Sequence, residues 1–296
     1  MVGAIVPNRP WWQSQNSNEN QRHGLLTPQT LPSMKKQIPV TLTIAGSDNS
    51  GGAGIQADLK TFTRSGVYGT TAVTCVVAEH PGRVSRIAAV DPSMVAEQIR
   101  LVFEAFPVAA AKTGMLFSTG IIRAVVREMR RRKKTKLVVD PVMVATSGAP
   151  LLKPEAERAL ARELFPLAAV VTPNLDEAAR LLGRRLKSPA AAKEAARELA
   201  SRWKVPFLVK GGHLGLDQAQ DFLAWPNGKM RLFSSRRLRG VETHGTGCTY
   251  SAAICAGLAK GLSLESAVAK AKGFITRAIR RHLKIGRYTP LNHLRA

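Results

Sequence analysis

The chain has 296 residues and is 45% apolar. That is enough to bury one large α/β core, and no apolar run approaches the ~20 residues of a membrane-spanning helix, so a membrane role is excluded from this reading. The formal charge is +24, yet the basic runs Arg127–Lys136, Arg184–Lys187, Arg231–Arg239 and Arg277–Lys284 come without a nucleic-acid module or interleaved aromatics. They are read as solvated helix faces and turns rather than a nucleic-acid footprint.

Residues 1–37 hold Asn, Gln, Pro and Ser with little apolar periodicity apart from Trp11 and Trp12, a composition that predicts a disordered tail. Met34 directly precedes the first strand and is an alternative start. The folded domain is expected over 38–296. Val40–Ala45 predicts a strand ending in Gly46, and Ala53–Ser65 a helix stopped by Gly66. Thr71–Ala78 is β-branched and predicts a buried strand. Helices are expected at Pro92–Phe106, Thr119–Arg132, Pro154–Leu164, Leu175–Leu182 and Pro189–Trp203. Short strands are expected at Ala109–Thr113, Leu137–Val139, Ala168–Thr172 and Pro206–Val209. Strands alternating with helices predict a parallel sheet joined by crossover helices. Gly46, Asp140, Asn174 and Lys210 each fall just after a strand. In open α/β sheets the ligand crevice lies at those carboxyl ends.

The most informative stretch is Thr243-His244-Gly245-Thr246-Gly247-Cys248-Thr249, followed at once by an apolar helical run from Ser251 to Leu258. Glycines let the backbone aim its N–H groups into one cavity, and a helix N-terminus adds unpaired N–H groups and partial positive charge. Gly245, Thr246, Gly247 and Cys248 thus read as an anion hole, most often for a phosphate, with an acid/base thiol at its mouth. A thiol at a helix N-terminus can ionise near neutral pH. The other cysteines, Cys75 and Cys255, lie on apolar elements and read as core packing. The three form no even disulfide set and no metal-ligand spacing, which points to a reducing cytoplasm.

Read in order, Thr43–Asp48, Ser50–Lys60, Lys112–Met115, Asp140–Met143, Thr172–Glu177, Lys210–His213 and His244–Thr249 resemble the hydroxymethylpyrimidine/phosphomethylpyrimidine kinases of thiamine biosynthesis, within the ribokinase-like superfamily. The resemblance runs from about Val40 to Leu291. It implies a three-layer α/β/α fold around a mostly parallel sheet, and a homodimer. It also implies an ATP- and Mg²⁺-dependent enzyme that phosphorylates 4-amino-5-hydroxymethyl-2-methylpyrimidine and then its monophosphate.

The resemblance further implies a substrate wall of Gly46, Asp48, Ala53, Asp58, Val77, Glu79, Met115 and Val142. The family commonly carries Gln-Asn-Thr where this chain has Glu79-His80-Pro81. A glutamine both donates and accepts, whereas an ionised Glu79 only accepts. Either Glu79 or the ring must then carry a proton, or the substrate differs. Asn174 and Glu177 read as a helix cap or as an Asn-x-x-Glu phosphate and magnesium site. Asp140 is expected near the metal as well. Lys210 and Thr246 are expected on ATP, with Lys210 neutralising phosphate charge. Cys248 stands where related kinases carry an aspartate base. Pyridoxal/pyridoxine kinase is the alternative activity, and a non-catalytic binding protein is a third reading.

Overall fold

The computed structural model describes residues 37–80, 82–144, 151–212, 217–238, 241 and 244–296. The expectations for the tail over 1–36 (Trp11, Trp12 and Met34 included) lie outside these residues, as do Pro81, His213, Arg239 and Thr243.

The elements run β1 (Val40–Asp48), α1 (Gly54–Arg64), β2 (Tyr68–His80), β3 (Arg83–Ala89), α2 (Pro92–Ala105), β4 (Val108–Thr113), α3 (Thr119–Arg130) and β5 (Lys136–Val139). There follow α4 (Pro154–Ala159), continued as a wider turn over Leu160–Leu164, then β6 (Val170–Val171), α5 (Leu175–Leu182), α6 (Pro189–Trp203) and β7 (Phe207–Lys210). The chain ends in β8 (Gln218–Ala224), β9 (Met230–Arg236), α7 (Thr246–Ala259) and α8 (Leu264–Arg280).

One sheet orders these strands β3-β2-β1-β4-β5-β6-β7-β8-β9. The pairings from β2 through β7 are parallel, while β3, β8 and β9 run antiparallel at the two ends. The period-two alternation of a strand splits the core into two layers. Ala111, Leu137, Val139, Val171, Phe207 and Val209 join Val95, Ile99, Ile121, Val125 and Ala192 on the α2, α3, α4 and α6 side. Ala110, Val138, Val170 and Leu208 face Phe62 of α1 and the apolar helices α7 and α8 on the other. The three-layer α/β/α architecture follows directly.

The strand order reverses direction at β1: β2 lies on one side of it and β4 on the other. That is the switch point at which an open sheet leaves a crevice at its carboxyl edge. A register shift between Ala45 and Ser47 sets two β2 residues, Thr74 and Cys75, opposite Gly46. A Cβ on Gly46 would stand 2.8 Å from the Cys75 sulfur, so only glycine fits.

The sheet is larger than the sequence pattern indicates. β3 and β9 are edge strands whose residues are mostly exposed or half-buried, so neither carries a clean apolar alternation. β6 is shorter than Ala168–Thr172.

Candidate active site

Two glycine-bearing turns meet at this edge. Gly245 caps α7 with φ of 79°, in the left-handed region, and an added Cβ would collide with the carbonyl oxygen of Gly52. Gly54 opens α1 with φ of 55°, and a Cβ there would collide with the carbonyl oxygen of Gly46. A Cβ on Gly52 would stand 2.7 Å from the His244 ring. The β1–α1 turn and the α7 N-terminus therefore interlock, each needing the other to lack side chains.

Asp48 organises this junction. Its Oδ1 accepts the Ser50 N–H at 2.7 Å, and its Oδ2 accepts the Ala53 N–H at 2.7 Å and faces His244 Nε2 at 3.0 Å. Burial raises the Asp48 carboxyl, but His244, Ser50 and Ala53 together outweigh burial and hold it well below the usual carboxylate range. The same bond raises His244, against its burial. Asp48 is 2% exposed, and its three contacts fix the wall of the crevice.

Asp58 is corrected. It is fully buried, with Oδ1 and Oδ2 both 2.8 Å from Lys112 Nζ and Oδ2 also accepting Thr43 Oγ1 at 2.6 Å. It lies beneath the crevice rather than beside the ring. Lys112 is the partner that sequence reasoning passed over. The signal was a lysine inside the short buried strand that precedes Gly114, a position that an unpaired charge does not occupy.

Gly46 and Val77 are buried, Ala53, Glu79, Met115 and Val142 are half-buried, and all but Val142 sit at the ends of β1, β2 and β4 or in the turns that follow. Val142 follows β5, its N–H bonded to the Asp140 carbonyl. A Cβ on Gly46 would lie 3.8 Å from Val77. The Met115 carbonyl accepts Thr74 Oγ1 at 2.6 Å, and the Glu79 N–H is held by Asn49 Oδ1 at 2.7 Å. Burial first, then Asp48, raises the Glu79 carboxyl, and His244 opposes them. An oxygen of Glu79, one of Asp48 and a nitrogen of His244 all lie within 4.8 Å of one another. Glu79 thus faces a charged pair and not open solvent alone.

The α7 end of the crevice is polar. The first intrahelical bond runs from Thr249 N–H to Gly245 O at 2.9 Å, so the Gly247 and Cys248 N–H groups lie ahead of the helical ladder. A Cβ on Gly247 would stand 3.3 Å from Lys210 Nζ and 3.7 Å from Asp140 Oδ2. Lys210, at the end of β7, donates to Asp140 Oδ1 at 2.9 Å, and Ser251 of α7 donates to Asp140 Oδ2 at 3.2 Å. Burial raises Asp140, yet Lys210 and Lys112 outweigh it and leave the carboxyl below its ordinary value. Burial likewise lowers Lys210, and Asp140 and Glu177 more than restore it.

Asn174 and Glu177 form a capping box at the start of α5, Asn174 Oδ1 accepting the Glu177 N–H at 2.9 Å and Glu177 Oε2 accepting the Asn174 N–H at 2.8 Å. The cap reading is therefore realised. Glu177 is nevertheless 3% exposed. Burial, opposed by Lys210 and assisted by Asp140, pushes its carboxyl up to about 7. Its Oε1 has only a 3.4 Å contact from the Met143 N–H. Two buried oxygen donors, one of them raised by the other, suit a hard divalent cation.

Cys248 completes the site. It stands in the first turn of α7, half-buried, where α7 packs on α1. Burial opposes the ionisation near neutral pH expected from the helix N-terminus alone. Burial dominates, Lys112 and Gly54 oppose it, Asp58 and Asp140 add to it, and the thiol is pushed up to about 11. Cys75 and Cys255 are fully buried among apolar residues, as expected. One further residue was not legible: His293 Nε2 meets Thr249 Oγ1 at 2.9 Å, so the C-terminal residues buttress the first turn of α7.

Residues 48–292 match the phosphomethylpyrimidine kinase family. The chain is 45% identical over 256 residues to the thiamine biosynthesis bifunctional protein ThiED of Geobacter sulfurreducens, covering 86% of this chain and 52% of that protein, so it spans about half of that relative. It is 43% identical over 260 residues to the hydroxymethylpyrimidine/phosphomethylpyrimidine kinase of Haemophilus influenzae, covering 86% of this chain and 97% of that one. Among solved structures, the ADP complex of Bacillus subtilis pyridoxal kinase superposes with a TM-score of 0.80 at 37% identity, covering 88% of this chain and 98% of that one. The family model spans most of the chain and the relatives are more than 40% identical over most of it, so the chain belongs to the phosphomethylpyrimidine kinase family.

Proposed function

We propose that this chain transfers the γ-phosphoryl group of ATP to the hydroxymethyl group of 4-amino-5-hydroxymethyl-2-methylpyrimidine, and then phosphorylates the monophosphate to the diphosphate. The observation that carries this reading is the interlock of the α7 N-terminus with the β1–α1 turn, where a Cβ on Gly245 would meet the Gly52 carbonyl oxygen. Through it, the amide end of α7 opens onto the same crevice as Gly46 and Glu79, so phosphate and acceptor share one site.

Phosphoryl transfer asks a protein chiefly for positioning and charge stabilisation. The N–H groups of Gly247 and Cys248 and the ammonium of Lys210, which a Cβ on Gly247 would approach to 3.3 Å, would hold a terminal phosphate. Asp140 and Glu177 would hold Mg²⁺, which supplies charge neutralisation on the phosphates when bound. Gly46, Ala53, Val77, Met115 and Val142 enclose the ring and exclude water from the acceptor. Cys248 orients the acceptor hydroxyl and, as thiolate, takes its proton. The resting thiol is protonated, so the reacting fraction grows with pH.

Glu79 supports a second reading, a pyridoxal/pyridoxine kinase. That substrate class also presents a hydroxymethyl on a six-membered aza-aromatic ring, and a pyridoxal kinase is a structural neighbour. Steady-state kinetics with each alcohol decide between them: the larger kcat/KM names the substrate. The proposal carries a homodimer in the cytoplasm, as the family resemblance implies and three free cysteines support. Light scattering tests the oligomeric state. The basic surface is read as solvated, many of its arginines being paired with nearby acids, as Arg132 is with Glu128 at 2.8 Å.

A further inference from the structure

Lys210 is held at the end of β7 by more than its own side chain. Its N–H donates to the Pro173 carbonyl at 2.9 Å, and its ammonium donates to Asp140 at 2.9 Å. It is also the last residue of β7 to pair with β8, where it stands opposite Asp221. The next amide, that of Gly211, lies past this ladder in a buried residue. A buried N–H without a partner is costly. The Asp221 carboxylate meets that need, its Oδ1 accepting the Gly211 N–H at 3.1 Å. Its Oδ2 accepts Lys272 Nζ of α8 at 2.6 Å, and the same ammonium donates to the Ala219 carbonyl at 2.9 Å. Asp221 is 2% exposed. Taking two charges out of water is expensive, and an apolar pair of similar volume often holds such elements together as well. What an apolar pair lacks is an acceptor for Gly211.

We infer that Asp221 is a positioning residue for nucleotide binding: its carboxylate, oriented by Lys272, fixes the amide that follows Lys210 and so sets where the Lys210 ammonium stands. This rests on the reading of Lys210 as the cation on the ATP phosphates. The ammonium has little room for error, since a Cβ on Gly247 would lie 3.3 Å from it and its bond to Asp140 spans 2.9 Å. Loss of the Gly211 anchor frees the end of β7 to shift, which lengthens that bond and withdraws the ammonium from the α7 N-terminus. The acceptor end is out of reach: β4, β5 and β6 separate β7 from β1 and β2, which carry Gly46 and Glu79. The effect of Asp221 therefore falls on the nucleotide and not on the alcohol.

Two double variants of the full chain isolate the acceptor atom, Asp221→Asn with Lys272→Met and Asp221→Leu with Lys272→Met. Both remove the ion pair and carry the same change on α8, but only asparagine keeps an oxygen for the Gly211 N–H. The readout is ADP affinity by isothermal titration calorimetry, beside KM for ATP and for the alcohol. The asparagine form is expected to bind ADP about tenfold more tightly than the leucine form, the scale of one buried hydrogen bond. KM for ATP should follow, and KM for the alcohol should be the same in both. A merely structural pair would move the melting temperature and leave ADP affinity equal. Equal ADP affinity, or an equal change in both KM values, would overturn the inference. Should the leucine form not fold, Asp221→Ala is compared with the unaltered chain: weaker ADP binding supports the role, and unchanged binding removes it. If the unaltered chain binds no ADP, the kinase reading fails and this inference with it. If it binds ADP but phosphorylates no alcohol, the ADP comparison still decides.

Discussion

Gly245 and Gly52 approach so closely that a single β-carbon on Gly245 would run into the Gly52 carbonyl oxygen. Gly245 also sits at φ of 79°. Gly245→Ala therefore carries both steric and conformational costs, and the contact it breaks is the one that sets the α7 N-terminus against the β1–α1 turn. It is expected to lower kcat/KM by about 100-fold, in the range of a displaced donor group. Melting temperature and kcat/KM measured together check this: a stable, fully active variant would show that the interlock is dispensable.

Cys248 carries the second prediction. Cys248→Ala is expected to lower kcat by about 100-fold while the KM for ATP changes little, in keeping with loss of a general base. In the unaltered enzyme, burial pushes this thiol up to about 11. The thiolate fraction then increases with pH across the range from 7 to 9, and kcat should rise with it. The Cys248→Ala variant should show a flat profile. Near-wild-type turnover in the variant would remove the proton-accepting role.

The third concerns the metal. Glu177 is raised to about 7 from an ordinary 4.5, with burial as the main cause. A carboxyl raised in the folded state binds its proton more tightly folded than unfolded, so stability falls as pH climbs from 4.5 through about 7 and stays lower above it. Mg²⁺ held there would relieve that cost. Thermal melts should show a larger stabilisation by Mg²⁺ at pH 8 than at pH 5.5, and little in Glu177→Gln. Equal stabilisation in the variant would place the ion elsewhere.

The fourth follows from Asp48. Its carboxyl is depressed below its ordinary 3.8, because His244, Ser50 and Ala53 outweigh burial. The stability it contributes is present above 3.8 and is lost as pH falls through the lower folded value. Asp48→Asn should cost about 2 kcal/mol at pH 7, the scale of a buried charge-assisted network with one member removed. Denaturant melts should show that gap narrowing from pH 5 toward pH 2. A gap independent of pH would mean that the charge is not what holds the turn.

The parallel core was legible because its strands are short, apolar and separated by helices with clear stops, such as Gly66 after α1. β3 was not, since Arg83, Ser85 and Arg86 face outward at an edge and leave no apolar alternation. α8 carries an amphipathic pattern that could have been read, with Ala267, Val268, Ala271, Phe274 and Ile275 buried along one stripe. The site was legible at its glycines and strand ends, where backbone conformation dictates the residue type. Asp58 was misplaced because a motif fixes a position along the chain and not a direction into the core. The elevated Cys248 thiol was hidden for a related reason: a helix N-terminus favours ionisation, but the burial that opposes it arises only in the folded chain.

One measurement bears most directly on the central claim, that a phosphate-gripping helix end and an aza-aromatic alcohol share a single crevice. It is an ADP-release assay on the purified chain with the hydroxymethylpyrimidine, its monophosphate and pyridoxine, each product identified by mass. The account predicts ADP formed in step with the pyrimidine monophosphate and then the diphosphate, and lost in Cys248→Ala. Absence of ADP formation with every one of the three acceptors would contradict it, and phosphorylation of pyridoxine alone would select the second reading.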